Sequence, residues 1–357
     1  MTNLLFALIA LVSWSGSDLF SKMGTEQKDN RSHWRVIFWV GAIMGAHALI
    51  SIVCSLIFGD VLVNAPDFVK SLIYTDIVPM DFIKYLPVAF LYLLAMVIGY
   101  AGLRYIELSI SSPICNASGS LALLLIVLLG AVGVFAEPST LSVIDIISVV
   151  FITFGIIWLG VVEYRESDEV KLVRSQGAGF KYTKSFIAIL IPVIYLFIDG
   201  IATVGDELLF EENSIIPTFF ADRDYAANTA FELVSVCFAI FAFIWVKFVR
   251  KENMFSIRTE EVLEDGSVKV GKIPFSKFLI YGGICETVGQ IFYMAVMSSE
   301  FVAGIPMISA YCVLSVLWSR VFLKEKLSIL HYVAIFATIL GIVALGVSEM
   351  LIEMGVL

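Results

Sequence analysis

The sequence predicts an all-α integral membrane protein of ten transmembrane helices, arranged as two inverted five-helix repeats. Three observations lead there: the composition, ten apolar runs of spanning length, and a similarity between the two halves. Of 357 residues, 59% are hydrophobic and only 15% charged, and the mean hydropathy is +0.94. Soluble globular chains lie far from these values. The net charge of −9 sits mostly in connecting segments, so it describes loops and carries no nucleic-acid footprint. Five cysteines are scattered singly through apolar segments with no metal or disulfide spacing.

Runs of about 20 apolar residues, the length a helix needs to cross ~30 Å of hydrocarbon, fall near 3–23, 33–58, 84–106, 109–134, 140–162, 184–205, 225–249, 275–297, 302–322 and 327–349. They show no alternation, which excludes barrel strands. The first run has no basic region before it and no small-residue cleavage site, so it is expected to remain as a span. Long connections follow spans 2, 5 and 7. In the last of them Asp265-Gly266, between alternating residues, predicts a small hairpin in a solvated appendage. Loops after the odd-numbered spans, with the adjoining helix ends, hold 20 of the 23 Lys and Arg; Lys70, Lys84 and Arg223 lie on the other side. The positive-inside rule then makes the first set cytoplasmic and puts both termini outside.

The halves can be aligned. "SWSGSDLFSK" matches "IYLFIDGIAT", pairing Trp14 with Tyr195 and Asp18 with Asp199. "IELSISSPICNAS" matches "SSEFVAGIPMISAY", pairing Glu107 with Glu300, Pro113 with Pro306 and Asn116 with Ser309. The halves end on "TFGIIWLGV" and "ILGIVALGV", Gly155 against Gly341. An odd-numbered repeat makes the second copy cross in the opposite sense, the architecture in which a site lies between halves that rock. The expected division is a first repeat over 1–163, a cytoplasmic linker over 164–183, and a second repeat over 184–357 that includes a soluble loop at 250–274.

The stretch "SSEFVAGIPMISAYCVLSVLWSRVFLKEKLSILHYVAIFATILGIVALGV", Ser298 to Val347, resembles the second repeat of the EamA family in the drug/metabolite transporter superfamily. "VFLKEKLS" places Glu325 at that family's acidic position, whereas "GVFAEPSTLS" has two extra residues that put Glu137 out of register. The resemblance implies ten helices in two repeats and secondary transport of small metabolites or drugs. It also implies cytoplasmic termini, opposite to the charge count.

Ionisable side chains in hydrocarbon cost about 2.5 to 3.5 kcal/mol and so mark partners or cavities. Glu286 leads the candidates, near the middle of span 8, with Gln290 and Tyr293 on the same helical face at i+4 and i+7 and with Gly282 and Gly289 leaving room. A structural hydrogen bond to a neighbouring helix is the plainer reading. Asp18 and Asp199 come some fifteen residues into their spans, which in an inverted pair puts them near opposite faces of the membrane. Lys22, at i+4 from Asp18, suggests a neutralised ion pair. Trp14 and Tyr195 are candidate aromatic walls for a cation, with packing as the alternative. His47 follows Gly41 and Gly45 and can titrate near neutrality, although "GAIMG" equally reads as close helix packing. Asn116, Ser118, Ser309 and Tyr311 follow the paired prolines, where kinks can free backbone carbonyls toward a cavity, and interhelical hydrogen bonding explains them equally well. Glu232 is expected at the outer mouth, and Glu107 and Glu300 in loops.

These acids, with no deep basic residue against them, suggest a secondary active transporter in the cell membrane. It would move a small polar, cationic or zwitterionic metabolite or drug by alternating access, with protons as a candidate coupling ion and no cofactor. The expected partners are the lipid bilayer and a small-molecule substrate. The alternatives are an intramembrane enzyme, for which the three histidines lack any catalytic spacing, and a non-transporting membrane scaffold.

Overall fold

A computed structural model describes the chain apart from residues 1, 26–28, 136–140, 166–184, 211–218, 221–222, 263–267, 298–307, 309 and 357. Helices dominate. In chain order they are α1 (Thr2–Gly24), α2 (Ser32–Leu62), α3 (Asp67–Ile73), α4 (Pro79–Gly102), α5 (Leu108–Asn116), α6 (Ser118–Ala131), α7 (Val143–Arg165), α8 (Ser185–Phe210), α9 (Asp224–Ile244), α10 (Phe278–Met297), α11 (Tyr311–Val321) and α12 (Ile329–Glu353). Among the described residues nine helical segments are long and apolar enough to cross a membrane, α5 and α6 together making one of them, and α11 is a shorter apolar helix. Large apolar side chains point outward along their length, Leu56 being 81% and Val61 71% exposed. In water such a surface would aggregate; in lipid it is the ordinary outer face. The protein is a multi-pass, essentially all-α membrane protein.

The helices associate in definite pairs. α1 packs on α10, α4 on α8, α2 on α9, α7 on α12, and α5 on α11. Buried positions at these seams are often small, as with Ala7, Ala10, Ala89, Ala230 and Ala334, as expected where van der Waals packing replaces a hydrophobic driving force. Gly155 and Gly341 show the limit of this. A Cβ on Gly155 would stand 2.1 Å from Thr338 Oγ1, and one on Gly341 would stand 2.6 Å from Ile152 Cγ1. The α7 and α12 backbones therefore meet only because both positions are glycine.

Three features depart from the simple pattern of spans. The fourth span is not one helix: Ala117, at φ −76 and ψ −2, separates α5 from α6, and Pro113 inside α5 removes one internal hydrogen bond just before it. The connection after the second span folds into α3, which lies against α2 and α10. The seventh span ends in a π-helical turn, Trp245–Val249, closed by Lys251 at φ 55.

The expected hairpin is formed by strands β1 (Ser256–Val262) and β2 (Val268–Pro274), antiparallel and in register from Ser256 opposite Pro274 to Val262 opposite Val268. Its turn, including Asp265-Gly266, lies outside the described residues. The hairpin is tied to the bundle more firmly than a solvated appendage would be. Buried Arg35 on α2 donates to the carbonyls of Met254 (3.0 Å), Asn253 (3.0 Å) and Ser256 (3.2 Å), and it pairs with buried Asp29.

Glu325 shows how the ends of the bundle are closed. It is buried, and its carboxylate accepts from the Leu108 N–H (2.9 Å), the Ser109 N–H (3.0 Å) and the Ser109 hydroxyl (2.6 Å). It thus satisfies the free donors at the N-terminus of α5 from a loop more than 200 residues away in sequence. Glu325→Gln replaces an accepting oxygen with a donor facing donors. The expected loss is about 1 to 3 kcal/mol of stability, visible as a lowered melting temperature in detergent.

Candidate functional site

A cavity of about 290 Å³ lies among α1, α4, α8, α9 and α10, with Tyr311 of α11 in its wall. From α1 it receives Trp14 and Asp18, and from α10 Glu286, Gln290 and Tyr293, each set spaced by three, four or seven residues and therefore on one helical face. α8 contributes Tyr195, Asp199 and Asp206, and α4 contributes Tyr85 and Tyr92. Near the start of α9 are Asp224 and Asn228. Five carboxylates and eight aromatic rings face this space, and no Lys or Arg lines it among the described residues. No group of three or more His, Cys, Asp and Glu among the described residues is placed to hold a metal ion. A narrower neck of about 80 Å³ continues past Asp18, Glu286, Tyr195 and Tyr311 to Cys115, Leu103 and Leu108.

Individual acids are held differently. Asp18 Oδ2 accepts from the hydroxyls of Ser112 (2.6 Å) and Ser315 (2.7 Å), on α5 and α11. Asp199 Oδ2 accepts from Ser118 at the start of α6 (2.6 Å). The Tyr85 hydroxyl donates to Asp206 at 2.7 Å. Glu286 stands beside Asp18 and Ser17, with the Tyr100 ring close by. Trp14 packs on Tyr293 (ring centroids 5.1 Å apart) and Tyr311 (5.8 Å), and its buried indole N–H finds no acceptor among the described residues. The wall is therefore aromatic, and the charged groups in its described lining are all carboxylates, an arrangement complementary to a cation.

Trp14 owes its seat to Gly289, where a Cβ would lie 2.4 Å from Trp14 Cδ1. Gly289→Ala is expected to displace the indole into the cavity and to weaken the α1–α10 seam by about 1 to 3 kcal/mol. Tryptophan fluorescence together with thermal denaturation would register both effects.

The structure corrects several expectations. Asp18 and Asp199 face one cavity instead of opposite mouths, because α8 continues to Phe210 and leaves Asp199 well inside the helix. The Asp18–Lys22 ion pair is replaced by other partners. Buried Lys22 donates to the carbonyls of Leu103 and Ile106, which are left without helical donors where α4 ends, and it interacts with Glu325 and Glu107. Glu107 lies in the connection between α4 and α5, as expected, and it is buried there. Asn116 lies away from the central cavity, in a separate space of about 190 Å³ shared with Ser118, Thr203 and Gly346. Glu137, Glu300, Pro306 and Ser309 lie outside the described residues.

Glu232 lies about two turns into α9, at the end of the bundle to which the cavity extends. α3 folds back over this end of the bundle, and Glu232, 0% exposed, meets His47 there. His47 Nδ1 lies 2.8 and 2.9 Å from the two carboxylate oxygens, and Nε2 lies 3.2 Å from the carbonyl of Ser71 on α3. A carbonyl only accepts, so Nε2 carries a hydrogen and a second proton is shared between Nδ1 and the carboxylate. His47 does not line the cavity. It is joined to it: Gln290 Nε2 donates to Asn228 Oδ1 (2.8 Å), and Asn228 Nδ2 donates to Glu232 Oε1 (3.3 Å).

Asp206, Tyr85, Tyr92 and Asn228 are cavity residues that sequence reasoning did not single out. The available signals were spacings, Asp206 two turns beyond Asp199 and Tyr92 two turns beyond Tyr85.

Comparison with known proteins adds little to this geometry. No family model matches the chain and no curated protein matches it. Among solved structures it is similar to one described as "Crystal structure of protein", at 15% identity over 98% of each chain, with a TM-score of 0.48.

Proposed function

We propose that the protein is a secondary transporter of small organic cations, of the drug/metabolite transporter kind, with ten spans in two inverted five-helix repeats. The observation that carries the reading is the central cavity, acidic and aromatic and free of Lys and Arg among the described residues. A cation there gains from rings and carboxylates together, whereas an anion would meet only repulsion. The cavity's size suits a small molecule.

The repeat finds support in the helix pairs. Exchanging spans 1 to 5 with spans 6 to 10 turns α1 on α10 into α8 on α4, and leaves α2 on α9, α7 on α12 and α5 on α11 as they are. Such an arrangement suits rocking of one half against the other around a fixed site. The cavity extends to Tyr85, Phe210 and Asp224, near the ends of α4, α8 and α9, while the opposite end of the bundle holds Lys22, Glu107 and Glu325. By the charge count that closed end is cytoplasmic, so the cavity would face outward.

Tetraethylammonium is a suitable first probe because its charge is independent of pH. It should bind the purified protein, measured by titration calorimetry, and bind more tightly as pH rises and protons stop competing for the carboxylates. Equal affinity for an organic anion of similar size would refute the proposed cation preference.

A further inference from the structure

A second, larger groove, about 1020 Å³, lies at the other end of α9, between the π-helical turn, the hairpin and the residues before α2. Its lining is basic. Lys247, Arg250 and Lys251 come from the end of the seventh span, and Arg258 and Lys272 come from the two strands. Its two acids are already engaged by arginines outside the lining, Asp29 by Arg35 and Glu252 by Arg31 at 3.4 Å. Arg258 and Lys272 are direct cross-strand partners.

The groove also sits at an apolar boundary. Just before it α9 presents Phe241 and Ile244 outward, and the turn presents Phe248 and Val249. Lys247 lies 5.1 Å from the ring centroid of Phe243 and 5.4 Å from that of Phe248, and the Arg250 guanidinium lies 5.1 Å over Trp245. Aromatic rings at the edge of the apolar belt with basic groups directly beyond them are the anatomy of a membrane interface. A phosphate held by these bases would leave an attached acyl chain beside Phe241, Ile244 and Phe248.

We propose that this groove binds the phosphate headgroup of an anionic phospholipid from the leaflet on the basic side of the protein. A site of this kind would couple the position of the hairpin, and through Arg35 the position of α2, to the lipid around it.

The test uses the full-length protein in detergent, titrated with phosphatidylglycerol, with phosphatidylcholine of the same acyl chains, or with inorganic phosphate, and followed by thermal denaturation. Phosphatidylglycerol should raise the melting temperature well beyond phosphatidylcholine, and inorganic phosphate should leave it unchanged. In Lys247→Gln/Arg250→Gln, and separately in Lys272→Gln, half-saturation should need about tenfold more phosphatidylglycerol, roughly 1.4 kcal/mol. Lys70→Gln/Lys84→Gln, on the opposite side, should respond as the wild type does. Equal effects of the two lipids, equal responses of groove and opposite-side variants, or a full response to inorganic phosphate would each overturn the proposal.

Discussion

Glu286→Gln should abolish most of the affinity for tetraethylammonium. Glu286 lines both the cavity and its neck, and Asp18 is the acid beside it. The amide keeps the shape and removes one negative charge from a site with no cation in its described lining. A charge-assisted contact in a partly desolvated site is worth about 1.5 to 3 kcal/mol, so the expected weakening is roughly ten- to hundredfold. The fold should tolerate the change, since no hydrogen bond closing a helix end depends on Glu286. Titration calorimetry reads the first effect and the melting temperature the second. Unchanged binding would move the site away from Glu286 and toward Asp199 and Asp206, whose Asn variants would then show the loss.

Arg35→Met should cost more stability than Glu325→Gln or Gly289→Ala. It leaves Asp29 buried without its partner and strips the carbonyls of Asn253, Met254 and Ser256 of their donor. Removing one member of a buried ion pair costs about 3 to 5 kcal/mol. Because the lost bonds join α2 to the base of the hairpin, proteolysis should cut the segment before β1 sooner than in the wild type. Adding Asp29→Leu removes the stranded charge and should recover part of the melting temperature while leaving the protease sensitivity. Recovery of both would mean that Arg35 holds the hairpin only by neutralising Asp29.

Hydropathy locates nine of the ten expected spans among the described residues because lipid demands long apolar helices, and the Asp-Gly pair announces the hairpin. The helical spacing of Glu286, Gln290 and Tyr293 puts all three on one face, and that face lines the cavity; Trp14 lines it too, as an aromatic wall, whereas Asp18, expected near a mouth, lines the same space. What escaped was set by tertiary contact. The expected sixth span stops at residue 205, whereas α8 continues to Phe210 and carries Asp206, which takes a hydrogen bond from Tyr85 across the cavity. The Lys22 to Asp18 spacing suggested a local pair, and the open carbonyls at the end of α4 drew Lys22 elsewhere. His47 and Glu232 are 185 residues apart, and nothing local to either announces the other. Arg35 shows locally only a positive charge at the start of α2; the carbonyls it binds come from the segment before β1, more than 200 residues away.

Counterflow in proteoliposomes separates transport from binding alone. Vesicles preloaded with unlabelled tetraethylammonium and diluted into a trace of the labelled compound should accumulate label transiently with the wild-type protein. Those carrying Glu286→Gln should not. Accumulation no greater than in protein-free vesicles, by a protein shown to bind the probe, would contradict the account and leave the cavity as a binding site without a transport cycle.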